Sequence, residues 1–215
     1  MLTVYRSDRA VAGLVLAHGA GGGQRSSFIV RAAHELAARG VTVATFDFPY
    51  MAAGRSVPDK APVLEDAWRA AIDEARAHED LRERALFVGG KSMGGRIASH
   101  VAAQGVRGVS GLVFFGYPLH PPGRPQQRRD AHLPQIAEPL LFIQGSRDEF
   151  GAAAEIRELL PRLARAELVE IADGDHSFKT RQKITGRKPD AALVEAFEAA
   201  AAFMARSASS ASPSA

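Results

Sequence analysis

The run Leu86-Phe87-Val88-Gly89-Gly90-Lys91-Ser92-Met93-Gly94-Gly95 decides the fold. Three apolar residues form a short strand. Glycines then interrupt the pattern, and residues 93–104 resume at helical spacing. At the junction, Gly90-Lys91-Ser92-Met93-Gly94 reads G-x-S-x-G. A serine in that place sits on a strand-to-helix turn so tight that its hydroxyl is pushed clear of the sheet. A side chain on either flank would clash, which is why glycine stands there. The helix opening behind Ser92 favours negative charge at its N-terminus.

Working outward, the same strand-then-helix alternation continues. Residues 14–17, 41–46, 112–115, 140–143 and 167–171 read as strands, the last with one wetter face. Residues 27–39, 62–78, 151–165 and 190–206 read as helices. Pro62 opens the second of these, and Pro161 interrupts the third. Residues 121–134, rich in Pro and Arg, read as a loop with one helical turn. Apolar strands alternating with helices predict an α/β fold, a mostly parallel sheet with helices on both faces. Functional residues then gather at the carboxyl ends of the strands. Residues 1–206 are expected to form one domain. Residues 207–215, all Ser, Ala or Pro, are expected to be a disordered tail.

A serine hydroxyl is a poor nucleophile unless a base accepts its proton and an acid orients that base. On this kind of sheet the chain order is Ser, then Asp or Glu, then His. Asp148 follows strand 140–143, and His176 follows strand 167–171. No other histidine lies beyond Asp148, so that order leaves His176 alone as the base. Asp148 also suits the N-cap of helix 151–165, and Glu149 is the rival acid. Asp173 and Asp175, beside Gly174, suit turn positions. The backbone N–H of Met93 is the first expected oxyanion donor. The second is expected from Ala20 or Gly21, in the loop His18-Gly19-Ala20-Gly21-Gly22-Gly23. His18 is expected to orient that loop rather than react. Tyr117 is a candidate for lining the substrate site, with core packing as the competing role.

Two look-alike motifs fail. Gly90-Lys91-Ser92 resembles the end of a phosphate-binding loop, but Ala85 stands where its first glycine belongs and residues 86–88 are strand. Gly19-Ala20-Gly21-Gly22-Gly23-Gln24 resembles a dinucleotide fingerprint whose last glycine is replaced by Gln24. The remaining histidines are scattered, and no metal-ligand spacing emerges.

Composition narrows the classes further. Of 215 residues, 46% are hydrophobic and 24% charged, a globular balance that excludes disorder as the main state. There is no cysteine, which excludes disulfides, thiolate metal sites and thiol catalysis. That absence fits a reducing cytoplasm, the expected location. No secretory leader and no membrane span are read in the sequence. The formal charge is +3. Most arginines stand beside acidic residues on helical segments and read as a solvated surface. The densest basic stretch, 179–188, lacks interleaved aromatics and reads as a loop favouring anionic substrates rather than nucleic acid. A small-molecule substrate is expected, with no cofactor, no metal and no nucleic-acid or membrane partner.

These pieces together resemble a known family. Residues 13–206 are similar to the small, lid-less α/β-hydrolases related to dienelactone hydrolases. The narrower likeness is to a bacterial branch akin to the hydrolase-like domain of a eukaryotic chromatin-complex subunit and a testis-expressed protein. The matching stretches are 18–22, 90–96, Gly116-Tyr117-Pro118-Leu119-His120-Pro121-Pro122-Gly123, 145–148 and 174–178. The resemblance implies an α/β-hydrolase fold without a large cap, a Ser92–Asp148–His176 triad, and hydrolysis of an ester, thioester or lactone. Dienelactone hydrolases proper use a cysteine nucleophile, so their substrate does not carry over. The chromatin-linked relatives imply the alternative of a hydrolase-like scaffold that binds protein.

Overall fold

The computed structural model describes residues 1–188 and 190–211. Its centre is one seven-stranded sheet. In chain order the strands are β1 Thr3–Tyr5, β2 Ala12–Ala17, β3 Val41–Phe46, β4 Leu86–Lys91, β5 Gly111–Phe115, β6 Leu140–Gly145 and β7 Ala166–Ile171. The helices are α1 Ser27–Ala38, α2 Pro49–Ala52, α3 Ala61–Ala77, α4 Met93–Ala103, α5 Ala153–Leu159, α6 Gln182–Thr185 and α7 Ala191–Ala211. Across the sheet the order is β1-β3-β2-β4-β5-β6-β7. Among the described residues only β1 runs antiparallel, against β3.

That order positions the site. From β2 the chain steps one way to β3, then returns to the other side of β2 for β4 and proceeds outward. The reversal opens a crevice beyond the carboxyl ends of β2 and β4. The loop after β2 is His18–Gly23, and the turn after β4 holds Ser92.

Strand side chains alternate between two cores. Val15, Ala17, Phe46, Val88, Phe114 and Phe142 meet Trp68 and Ile72 of α3, Ile97 and Val101 of α4, and Ile156 of α5. Leu14, Leu16, Val43, Phe87, Val113, Phe115 and Ile143 meet Ile29 and Leu36 of α1 and Phe197 and Met204 of α7. Both faces are covered, as near-continuous apolar strands require. Among the described residues no large cap interrupts the sheet. The 116–134 segment remains a loop, with one 3-10 turn at Leu133–Gln135.

Several boundaries differ from expectation. Strand β1 is too short and too exposed to leave an apolar run. Helix α5 ends at Leu159, and Pro161 sits in a 3-10 turn, Leu160–Arg162. The expected disordered tail is corrected over 207–211. Helix α7 continues through Ala211, because alanine is a strong helix former and Ala208 packs against the core beside α7's own apolar face. The rest of that tail, 212–215, lies outside the described residues. Among the described residues no helix is long and apolar enough to cross a membrane.

Candidate active site

Ser92 has φ 51° and ψ −118°, a backbone state that side chains rarely adopt. The flanking glycines make the turn possible. A Cβ on Gly90 would lie 2.5 Å from the Ala17 carbonyl oxygen. A Cβ on Gly94 would lie 2.6 Å from the carbonyl oxygens of both Ala17 and His18. The elbow is thus pressed against the end of β2, and only backbone fits between them.

His176 Nε2 lies 2.9 Å from Ser92 Oγ. His176 Nδ1 lies 2.9 and 2.8 Å from the two Asp148 carboxylate oxygens. An ionised carboxylate only accepts, so Nδ1 carries the hydrogen and Nε2 is left to accept from the serine hydroxyl. The Asp148 side chain has no exposed surface. It is satisfied by further donors, Gln144 Nε2 at 2.9 Å and the Phe150 N–H at 2.9 Å, as a buried carboxylate must be. Asp148 does not cap α5, whose N-cap is Ala152. The rival Glu149 is exposed.

The loops after β6 and β7 are laced together, which brings residues 28 positions apart into contact. A Cβ on Gly145 would meet the Gly174 carbonyl oxygen at 2.3 Å. The Arg147 N–H donates to Gly174 O, the Asp173 N–H donates to Ser146 Oγ, and Arg147 Nε donates to Asp173 O. Asp173 and Asp175 act as turn residues. Asp175 Oδ1 accepts the N–H groups of Ser177 and Lys179, and Asp173 pairs with Arg147 and Arg181. Within the basic stretch, Arg181 and Arg187 are engaged by Asp173 and Glu195.

Lys91 occupies the variable position before the serine. Its Nζ donates to the His176 carbonyl oxygen at 2.5 Å and stands 5.9 and 5.5 Å from the ring centres of Phe28 and Phe178. Burial pushes its pKa down to about 8, although Asp148 and Asp175 pull it back up.

Met93 opens α4, so its N–H has no partner within the helix and is free to meet a ligand beside Ser92. The loop after β2 is tied down from behind. His18 is buried; its Nδ1 donates to Gly19 O at 2.8 Å and its Nε2 accepts the Phe48 N–H at 3.2 Å. Burial lowers the His18 pKa, which suits this neutral bridging form. Tyr50 Oη donates to Ala20 O at 3.1 Å. Two hollows meet at Ser92. One, of about 280 Å³, is bordered by Ala20, Asp59, Met93, Arg96, Arg129 and Phe150. The other, of about 480 Å³, is bordered by Ala20, Gly21, Phe28, Ile29, Phe150 and His176. Ala20 borders both and Gly21 only one.

One sequence expectation is corrected. Tyr117 does not line either hollow. It is fully buried, its hydroxyl donates to Arg129 O at 2.9 Å, and its ring packs on Phe114 and Phe142. Three participants were not anticipated. Gln144 braces Asp148, and its signal was a polar residue inside an apolar strand. Phe150 lies with its ring centre 4.3 Å from that of His176 and borders both hollows. Tyr50 anchors the loop after β2, and no local pattern marked it. Among the described residues no group of three or more His, Asp or Glu side chains is arranged to hold a metal ion.

The alpha/beta hydrolase domain matches residues 10–205. The chain therefore belongs to the α/β-hydrolase family. Solved structures with the same fold include a dienelactone hydrolase from Anabaena variabilis, at 21% identity and a TM-score of 0.72, covering 94% of this chain and 89% of that one. XC6422 from Xanthomonas campestris, described as an α/β serine hydrolase without a lid, is 21% identical with a TM-score of 0.67, covering 100% and 90%. Est1E from Butyrivibrio proteoclasticus is 16% identical with a TM-score of 0.72, covering 96% and 93%.

Proposed function

We propose that this protein is a serine hydrolase that cleaves a small carboxylester, thioester or lactone through an acyl-enzyme. The observation that carries the reading is the unbroken chain of hydrogen bonds from Ser92 Oγ through His176 to Asp148. Ser92 Oγ attacks the substrate carbonyl while His176 Nε2 takes its proton. Asp148 holds the imidazole in the required tautomer and stabilises the imidazolium. The N–H groups of Met93 and of Ala20 or Gly21 receive the oxyanion. His176 then returns the proton to the leaving alcohol. Water, deprotonated by the same histidine, frees the acid and restores Ser92. Residues 1–206 act as one domain in this reading, and no step calls on a metal or cofactor.

Labelling with a fluorophosphonate probe tests it. Wild-type protein should be labelled, and Ser92→Ala should not be. A well-folded wild-type protein that resists the probe would remove the hydrolase reading.

A further inference from the structure

The two hollows at Ser92 differ in what borders them. His176 borders the larger one and not the smaller. In the mechanism above, His176 Nε2 gives its proton to the leaving alcohol, so the alcohol departs through the larger, more apolar hollow. The smaller hollow, beside Met93 and Ala20, is left for the acyl chain.

That acyl hollow is basic. Arg96 lies one turn along α4 from Ser92, and Arg129 enters from the loop between β5 and β6. Among the described residues neither guanidinium forms an ion pair with a carboxylate. Arg96 Nη1 meets only His100 Nε2, at 3.4 Å, and Arg96 Nε is buried with no partner. The two arginines stand close enough to repel each other. Glu65, whose charge acts on Arg96, is engaged by His100 and Gln104 and does not border the hollow. Asp59 does border it. One of its oxygens pairs with Arg55 at 2.8 Å, and the other is buried without a partner. Arg55 offsets the Asp59 charge, which leaves Arg96 and Arg129 as the charges bordering the hollow without a counter-ion. Two adjacent guanidiniums without counter-ions, one with a buried orphan donor, carry a cost that a bound anion relieves. A carboxylate suits the planar donor fork of arginine.

We propose that the Arg96–Arg129 hollow binds a free carboxylate at the far end of the acyl chain, so that the substrates are hemiesters of short dicarboxylic acids. The inference rests on the hydrolase reading. The ester C–O bond breaks, the alcohol leaves with the proton from His176, and water supplies the hydroxyl that completes the dicarboxylate.

The test compares three methyl esters of similar size on the wild-type protein by acid release: monomethyl glutarate, methyl pentanoate and methyl 4-carbamoylbutanoate. kcat/KM for the hemiester is expected to exceed that for methyl pentanoate by about ten-fold or more, the scale of one charge-assisted contact. The same ratio should fall toward one in Arg129→Gln, which alters only a loop, and in Arg96→Gln. A wild-type ratio of one or less overturns the proposal. So does an amide ester that performs as well as the hemiester, or a ratio that survives both substitutions. If methyl pentanoate is hydrolysed and Ser92 is labelled, such a result removes the substrate class alone. If no ester is hydrolysed and Ser92 is unlabelled, the hydrolase reading falls and this proposal with it.

Discussion

Gln144 Nε2 donates to Asp148 Oδ2 at 2.9 Å while Gln144 Oε1 accepts the Tyr117 N–H at 2.8 Å. Gln144 has no exposed surface and Asp148 has 4%. The amide thus fixes a buried carboxylate to the end of β5 as well as to its own strand. Gln144→Leu should leave Asp148 short of a donor and free to rotate away from His176. We expect kcat/KM to fall about 10- to 100-fold, mainly through kcat, and stability to fall by about 1–3 kcal/mol. Steady-state kinetics and urea unfolding check both; an unchanged kcat would show that Asp148 needs no such brace.

The proposed triad has an ordered hierarchy. Ser92→Ala and His176→Ala should each nearly abolish turnover without unfolding the protein. Asp148→Asn should hurt less, because the base remains. Circular dichroism establishes folding, and ester hydrolysis establishes rate. Near-wild-type turnover in either alanine variant would dismiss the assignment.

The Tyr50 hydroxyl holds the Ala20 carbonyl, and the Ala20 N–H is a proposed oxyanion donor. Tyr50→Phe removes that tether and nothing else of size. Turnover should drop several-fold with KM nearly constant, since the interaction matters most when the oxyanion forms. A pure KM effect would place Tyr50 in binding instead.

Lys91 connects protonation to stability. Burial lowers its pKa from 10.5 to about 8. Below pH 8 both folded and unfolded chains hold the proton, and the penalty of a buried ammonium is fully present. Between about 8 and 10.5 the unfolded chain still holds the proton that the folded chain has released, so stability rises with pH. Lys91→Met lacks this rise. Urea midpoints of both proteins at pH 7 and pH 10 should therefore show wild type gaining relative to the variant. Parallel behaviour would mean that the ammonium is well solvated.

Gly94→Ala would push a Cβ to 2.6 Å from two carbonyl oxygens. Backbone cannot yield there without displacing the end of β2. The variant should lose about 3 kcal/mol or more, or fail to accumulate as folded protein. At Gly21 a Cβ meets nothing within 4 Å, so Gly21→Ala should stay within about 0.5 kcal/mol of wild type in unfolding.

Local signals carried most of the fold. The runs at 14–17 and 140–143 are buried strands because nothing else hides so many consecutive apolar side chains. The elbow was equally legible, since its glycines are required by contacts at the serine itself. Strand β1 was not, because a three-residue edge strand owes its existence to β3 beside it. The helical extension over 207–211 was missed for a similar reason. A short Ser/Ala segment holds no core of its own, yet it continues a helix already anchored by Phe203 and Met204.

Residue type and chain order by themselves singled out Ser92, Asp148 and His176 as candidates, because the proposed reaction constrains which groups could serve and the fold constrains their sequence. Tertiary structure alone decided the rest. It buried Tyr117 against Phe114 and Phe142, recruited Gln144 and Phe150 to the candidate site, and brought Arg96 and Arg129 to the border of one hollow. Such relationships depend on which strands lie side by side and how their loops meet. Those distances are fixed by packing between segments far apart in the chain, and no local pattern encodes them.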